Sequence, residues 1–405
     1  MRTFRTALAA VVLAAVAPAA TPTATATRTD DVGLASSNVT YQKTIPVDAG
    51  LATGARLHGK YLYVAGSKAF SIYDVSDPLN PALQSVTPVG FNFPSEDVDT
   101  NGAILLLNDE QGAVGELQVW DVRDKKLPTR LATLPNIRDH TFTCVHGCRW
   151  AYGSRGSIVD LRVPAKPRLA GSWGSIARND GFDVTEVSPG LILTSTRTLR
   201  LLDARKNPLK PKVLRTGGTR DNRLIHSNRW PRQGRDKFFL VQGETPFSGR
   251  CTENSGAIMA WDAKKMRMAG EYRIGNGTWA DGKPAAGPTG CTAMWFQQHP
   301  SFRDGGLIAS AFFEHGVRFL NVAKSGAISE VGYYMPAAGS TIASYWITPD
   351  VVYAIDLEKG IDILSFDGSK PPAQAPARPP AASVTTTIRF AAPAYRDRVW
   401  CQLPL

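Results

Sequence analysis

A short phrase recurs seven times along this chain: two or three apolar residues, then an aspartate (once an asparagine), then a small or apolar residue. The acidic position recurs at intervals of 39 to 59 residues. It falls at Asp74, Asp121, Asp160, Asp203, Asp262, Asn321 and Asp367. Short apolar runs separated by turn residues at this period indicate stacked four-stranded units rather than one sandwich. The sequence therefore predicts an all-β fold, a seven-bladed β-propeller.

The N-terminus differs from the rest of the chain. Arg2 and Arg5 precede an apolar run that ends in small residues, which is the pattern of a secretory signal peptide over residues 1–20. A membrane anchor is the alternative, but the apolar run is short for one. A Thr/Ala-rich segment, 21–37, is expected to be disordered. We therefore predict an exported protein, either secreted or held at the cell surface.

The predicted propeller occupies residues 38–369, and a Pro/Ala-rich linker and C-terminal tail follow in 370–405. The last blade shows only three strands of its own. Residues 38–47 alternate as a strand does, so we expect them to supply its outer strand and close the ring. No later apolar run is long enough for a membrane helix, so no transmembrane segment is expected after signal cleavage.

The formal net charge of +11 makes nucleic acid the first partner class to consider. However, lysine and arginine are spread over all blades, without a long basic run. This distribution favours a solvated basic surface, attracted to anionic envelope polymers, over a nucleic-acid site. We expect a monomer that does not bind nucleic acid.

The five cysteines fit an exported protein. Cys144 and Cys148 can close a tight hairpin as a disulfide. Cys251 and Cys291 each lie in an insertion, and a disulfide between them would join the two insertions into one flap. Cys401 is left over. The alternative for the first pair is half of a zinc site, but the sequence has no second pair of that spacing.

Blade 1 carries the most regular form of the repeat. It reads Leu62-Tyr63-Val64-Ala65, then Ile72-Tyr73-Asp74-Val75-Ser76-Asp77-Pro78, and then Pro81. This blade resembles the LVIVD repeat family of bacterial secreted or surface propellers, and the later blades keep mainly the apolar–Asp phrase. The resemblance implies a propeller fold and an exported location, without a particular activity. Function has to be sought in individual sites.

The first strand of each blade lines the channel of a propeller. Counting back from the turn that ends each first strand gives one channel residue per blade, and five of the seven are types that ligate metals. These candidates are Glu96, His140, Asp183, His226 and His299. Imidazole and carboxylate groups on one axis can hold Zn, Mn, Fe or Cu, so one divalent metal ion is the candidate cofactor. The alternative is a wet channel whose polar residues bind only water.

Loops at the same face carry further candidates for a ligand-binding rim. They are Asp97, Asp109, Glu110, Glu244, Trp279, Glu314 and His315. Acidic residues clustered in so basic a protein indicate a mouth that binds a cation, either a metal or an amine-bearing ligand. Alternatively, these acids pair with cationic residues of the same rim, such as Arg155.

The sequence contains neither a nucleophile elbow nor a phosphate-binding loop before a helix. It therefore favours a binding or scaffold protein of the cell envelope or exterior, with its ligand at the channel mouth and an unidentified protein or polymer as partner. The alternative is a metal-dependent enzyme, a hydrolase or oxidoreductase, with the His/carboxylate site at the channel. A third possibility is an ion bound for stability alone.

Overall fold

The structure is a computed structural model. It describes residues 33–90, 98–110, 114–177, 182–195, 198–218, 225–243, 256–274, 279–280, 283–284, 293–313, 315–336 and 339–373. Two helical turns, α1 (Gly174–Ala177) and α2 (Pro231–Gly234), are the helices of this described part. Neither of them has the length or the apolar character that crossing a membrane requires.

The described residues form antiparallel β-sheets throughout. The strands of blades 1 to 3, with two N-terminal strands before them, are β1 (Leu34–Ala35), β2 (Val39–Ile45), β3 (Ala52–His58), β4 (Tyr61–Gly66), β5 (Ala69–Asp74), β6 (Ala82–Pro88), β7 (Asp99–Thr100), β8 (Ile104–Asp109), β9 (Glu116–Asp121), β10 (Thr129–Pro135), β11 (Phe142–Val145), β12 (Trp150–Gly153), β13 (Ser157–Asp160) and β14 (Arg168–Ser172). The remaining strands are β15 (Asp183–Ser188), β16 (Leu191–Ser195), β17 (Thr198–Asp203), β18 (Lys212–Gly218), β19 (Ile225–Arg229), β20 (Phe238–Gly243), β21 (Ile258–Asp262), β22 (Arg267–Tyr272), β23 (Trp279–Ala280), β24 (Lys283–Pro284), β25 (Phe296–Gln298), β26 (Gly306–Ala311), β27 (Val317–Val322), β28 (Ile328–Met335), β29 (Thr341–Trp346), β30 (Val351–Asp356) and β31 (Gly360–Phe366).

Seven sheets follow one another along the chain and confirm the predicted seven-bladed propeller. Blade 1 contains β3–β6, blade 2 β7–β10, blade 3 β11–β14, blade 4 β15–β18, blade 5 β19–β22, blade 6 β25–β28 and blade 7 β29–β31. The short strands β23 and β24 pair only with each other.

The two N-terminal strands lie at the edges of the last two blades. β2 pairs antiparallel with β31, with Val39 opposite Phe366, and so forms the outer strand of blade 7. β1 pairs with β28, with Leu34 opposite Met335, and gives blade 6 a fifth strand. β1 lies within segment 21–37, and the edge of blade 6 supplies hydrogen-bond partners for it that the sequence does not reveal.

The core lies between the blades. The middle strands are buried on both faces, as β4 is from Leu62 onward, whereas the outer strand β6 is exposed or half-buried along its whole length. Buried apolar side chains form seven clusters, one at each blade–blade interface. The cluster between blades 7 and 1 packs Tyr353 and Ile363 against Leu62 and Val64. Each blade therefore covers its apolar faces with its neighbours, as the period of the sequence requires.

The repeated aspartate has a local structural role. In six blades its Oδ1 accepts the backbone N–H of the residue two positions later, at 2.9 to 3.0 Å; these aspartates are Asp74, Asp121, Asp160, Asp203, Asp262 and Asp367. This is an Asx turn, which directs the chain out of a strand. The acid recurs because the third strands of these six blades end in the same turn.

Each blade has two ends. The channel-mouth face is the end at which the innermost strands β3, β7, β11, β15, β19, β25 and β29 begin. The turn face is the end at which they finish, and because the strands are antiparallel, the third strands and their Asx turns finish there too.

Candidate functional site

Three of the predicted channel residues lie where innermost strands begin. His140 comes two residues before β11, Asp183 is the first residue of β15, and His226 is the second residue of β19. These strands contact one another around the axis. The His140 and His226 ring centroids are 6.0 Å apart, and the Phe182 ring lies 5.4 Å and 5.8 Å from them. The side chains of His140, Phe182, Asp183 and His226 are all buried.

Glu110, from blade 2, connects this cluster to a cation. Its Oε1 lies 2.9 Å from His140 Nδ1, and its Oε2 lies 2.9 Å from Arg155 Nη2. The side chains of Glu110 and His140 are 5% and 4% exposed, so the pair is shielded from water. Glu110 therefore pairs with Arg155, which is the alternative given above for the acidic residues of the rim.

Backbone contacts fix the positions of this network. Arg155 Nη1 donates to the carbonyl of Arg138 at 3.1 Å, and Arg138 Nη1 donates to the carbonyl of Glu110 at 3.1 Å. Asp139 Oδ1 accepts the backbone N–H of Arg155 at 2.6 Å. Burial raises the pKa of the Asp139 carboxyl group. Charged groups from blades 2 and 3 are thus held in one arrangement at the channel mouth, a feature typical of sites that must be preorganised.

Asp183 uses one carboxylate oxygen to join blade 4 to blade 5. Its Oδ2 accepts the backbone N–H of Asn228 at 3.1 Å and the Asn228 side-chain amide at 3.2 Å. Asp99 does the same between blades 2 and 3, where Oδ2 accepts the N–H of Cys144 at 2.8 Å. Gln297 does so between blades 6 and 7, where Oε1 accepts the N–H of Trp346 at 2.6 Å. Asp183 therefore has a structural role that its pattern as a candidate ligand did not suggest.

His299 lies apart from the other channel candidates. It follows β25, at the end of an innermost strand rather than at the start. Its Nδ1 is 2.6 Å from Ser301 Oγ, its Nε2 is 2.8 Å from the Pro349 carbonyl, and its ring packs edge-on against Trp346. The prediction that His299 lies beside His140 and His226 is therefore wrong. The connection between β25 and β26 is longer than the corresponding connection in most other blades, so counting back from Gly305 stops at the end of β25 rather than at its start.

Trp295 takes the place expected for His299 and was missed by the sequence reasoning. It comes directly before β25. Its buried ring packs edge-on against His226, with centroids 5.3 Å apart, and the Arg229 guanidinium lies 5.8 Å over it. The signal that could have identified it is its position before the first apolar strand of blade 6.

The other rim candidates are distributed differently. Asp109 ends β8 and is buried, and His315 is buried with its carbonyl accepting from Arg318 Nη1 at 2.7 Å. Several candidates lie outside the described residues: Glu96, Asp97, Glu244, Glu314, Cys251 and Cys291. The backbone of Trp279 is described, but its side chain is not. Within the described ranges, no three His, Cys, Asp or Glu residues are grouped so that they could hold a metal ion.

Cys144 and Cys148 lie at the opposite end of β11 from His140. Their sulfur atoms are at disulfide-bonding distance, and their Cα atoms are 4.2 Å apart. The bond closes the tight turn between β11 and β12, as the hairpin prediction requires, and neither cysteine is then available as a thiolate ligand for zinc.

The arrangement at the channel mouth combines three kinds of contact. Glu110 and His140 offer charge and hydrogen bonds, His226 adds a second imidazole, and Trp295 offers an aromatic face. The face of a tryptophan ring attracts cations. The channel mouth thus brings together a carboxylate, two imidazoles and an aromatic ring.

Comparison with known proteins supports the fold. Residues 49–87 match the LVIVD repeat, which covers the phrase identified in blade 1. A search of curated protein sequences gave no match. The chain is similar to the crystal structure of the RRP9 WD40 repeats, with a TM-score of 0.56 and 12% identity over 82% of this chain and 99% of that one. It is also similar to the WD40 propeller domain of Doa1, with a TM-score of 0.54 and 12% identity over 82% and 99%. At this identity, the likeness establishes a propeller and nothing about activity.

Proposed function

We propose that this chain is a binding or scaffold protein whose ligand docks on the channel-mouth face. The observation that supports this most strongly is the Glu110–His140–Arg155 network, in which the buried Glu110 carboxylate of blade 2 contacts an imidazole and a guanidinium of blade 3 at the channel mouth. Buried charges in a fixed network are more frequent at functional sites than elsewhere. A rigid propeller that presents loops around such a network fits a binding role.

According to this proposal, the ligand carries a cationic or hydrogen-bonding group. The Glu110 carboxylate is shared between an imidazole and a guanidinium, so an entering cation would compete with Arg155 for Oε2. Trp295, beneath Arg229, already has a cation over its ring. An amine-bearing segment of an envelope or extracellular protein or polymer has the required chemistry.

A photo-crosslinker in place of an exposed apolar residue tests the location of binding. Val114, 52% exposed, lies in the β8–β9 loop at the channel mouth, and Leu127, 72% exposed, lies after β9 on the turn face of the same blade. A benzophenone side chain at residue 114, in protein mixed with its own cell envelope fraction, is expected to give a discrete adduct that a Glu110→Ala variant loses. Residue 127 is the matched control. Equal labelling from both positions, or no adduct from 114, contradicts the proposal.

Export belongs to the same proposal, and the basic, apolar and small-residue pattern of residues 1–20 supports it. Intact-mass measurement of the protein from the culture medium or cell surface tests it. Loss of about twenty N-terminal residues is expected by the usual length of such signals. An uncleaved protein confined to the cell interior contradicts export.

The second candidate function is metal-dependent catalysis at the channel. The observation that favours it is the 6.0 Å separation of the His140 and His226 rings, together with the carboxylate on His140 Nδ1. Histidines that ligate metals usually have such a carboxylate on the second ring nitrogen. Elemental analysis of protein purified without chelator, beside a His140→Ala/His226→Ala variant, decides between the two functions. About one equivalent of a transition metal, lost in the variant, makes this candidate the leading one; no metal in either sample, even after reconstitution, removes it.

A further inference from the structure

A pocket of about 570 Å³ opens on the turn face between blades 3 and 4. It lies at the opposite end of the innermost strands from the channel mouth. Three arginines line it: Arg149 and Arg162 from blade 3, and Arg205 from blade 4. His146 also lines it, and Trp150 and Pro208 contribute an apolar wall. The pocket is therefore lined by both cationic and apolar side chains.

Two of the arginines are held in position by the Asx turns of the repeat. Arg162 places Nε 2.9 Å from Asp160 Oδ1 and Nη2 2.7 Å from Asp160 Oδ2, and this pairing holds the pKa of Asp160 well below its usual range. Arg205 makes the same two contacts with Asp203, at 2.9 Å and 2.7 Å. Each guanidinium is thus oriented before any ligand arrives, and the two N–H groups of Nη1 lie outside these contacts. Ordering an arginine in advance lowers the entropic cost of binding.

A shared carboxylate joins the two turns that frame the pocket. Glu186 Oε1 accepts the backbone N–H of His146 at 2.8 Å and that of Gly190 at 2.7 Å, so one carboxylate joins the β11–β12 turn to the β15–β16 turn. The Cys144–Cys148 disulfide closes the first of these turns. The negative charge of Glu186 is directed at backbone donors rather than at the arginines.

The charges around the pocket are unequal. Asp160 is shared between Arg162 and Arg168, whose Nη2 is 2.9 Å away, and Asp203 pairs with Arg205. Arg149 adds a cation without an ion pair to any described residue. The arginines therefore exceed the paired carboxylates. Arginine matches the geometry of phosphate and sulfate oxygens.

We propose that this pocket binds a small organic oxyanion, a ring that carries a phosphate or sulfate ester. The ester lies among Arg149, Arg162 and Arg205, and the ring lies against Trp150 and Pro208. The Arg162 guanidinium already lies over the Trp150 ring, with its central carbon 5.1 Å from the ring centroid, so the cationic and apolar parts of the pocket adjoin.

Titration calorimetry with glucose 6-phosphate, glucose 6-sulfate and glucose tests the proposal on the whole mature protein. At least one ester is expected to bind, with an affinity that falls as NaCl is raised, while glucose does not bind. Tighter binding of the phosphate ester than of the sulfate ester assigns the site to phosphate, and the reverse order assigns it to sulfate. The proposal is overturned if neither ester binds at a concentration of about 10 mM, at which even a weak complex would form.

The repeat supplies a matched control for the variants. Arg123 pairs with Asp121 in blade 2 through the same Asx turn but does not line the pocket. Arg205→Ala and Arg149→Ala are each expected to weaken ester binding by about tenfold, the loss of one charge-assisted contact, and Arg123→Ala to leave it unchanged. Thermal unfolding confirms that each variant is folded. Equal affinity for the Arg205→Ala and Arg123→Ala variants would show that the ester binds elsewhere.

Discussion

Asp99 is expected to be one of the most sensitive positions for stability, because one carboxylate joins three blades. Its Oδ2 accepts the N–H of Cys144 at 2.8 Å and the hydroxyl of Thr143 at 2.7 Å, both from blade 3. Its Oδ1 lies 3.1 Å from Nε of Arg56 in blade 1. The side chains of Asp99 and Arg56 are 11% and 18% exposed, so solvent screens the pair weakly.

The cost of Asp99→Ala follows from the groups it leaves behind. A buried N–H without an acceptor costs about 1–3 kcal/mol, and breaking a buried ion pair from one side costs about 3–5 kcal/mol. Since the two overlap, we expect the free energy of unfolding to fall by about 4 kcal/mol. Over the roughly 330 residues from Leu34 to Phe366, the usual entropy of unfolding is about 0.7 kcal/mol per degree. The melting temperature should therefore fall by about 6 °C.

Thermal unfolding followed by circular dichroism measures this effect. Asp99→Asn keeps a carbonyl acceptor for the Cys144 N–H and loses only the charge, so we expect about a third of the effect of Asp99→Ala. Asp121→Ala, in the same blade, removes a turn-capping aspartate at the surface and is expected to cost about 1 kcal/mol. If Asp99→Ala melts at the same temperature as Asp121→Ala, the carboxylate does not hold the blades together, and the reasoning is refuted.

Two further predictions concern the turn face. Burial raises the pKa of Glu186, so the folded state holds more protons than the unfolded state, and the contribution of Glu186 to stability falls as pH rises from about 4.3 through the raised pKa. Glu186→Gln keeps a carbonyl acceptor and does not titrate. Its free energy of unfolding relative to the wild type, measured in urea titrations, should therefore increase across that pH window. A difference in free energy that stays constant with pH contradicts the raised pKa of Glu186. Replacing Cys144 and Cys148 by serine opens a short loop and should cost about 2 kcal/mol, measured in the same titrations. Added reductant should lower the stability of the wild type by the same amount and leave that of the double variant unchanged.

The sequence determined the blades because their signals are local. An aspartate that ends a third strand accepts an N–H two residues later, so its chemistry is contained in three consecutive residues and repeats wherever the turn repeats. The hairpin cysteines are local in the same sense, since four positions separate them. Apolar alternation between these turns was enough to count seven blades.

The channel mouth required the tertiary structure. Glu110 and His140 are 30 residues apart and belong to different blades, so only the packing of one blade on the next brings them to hydrogen-bonding distance. The start of β25 cannot be found by counting back from the turn at Gly305, because no local pattern fixes the length of the connection between β25 and β26. For this reason Trp295, and not His299, packs against His226.

The arginine pocket shows the same division most clearly. The sequence places an Asp-x-Arg unit at the end of three successive third strands, with arginines Arg123, Arg162 and Arg205, and nothing local distinguishes them. The structure places only Arg162 and Arg205 in the pocket between blades 3 and 4. Local hydrogen bonds determine a turn, but the space between two turns is determined by how neighbouring blades pack, and packing joins residues that are distant in the chain.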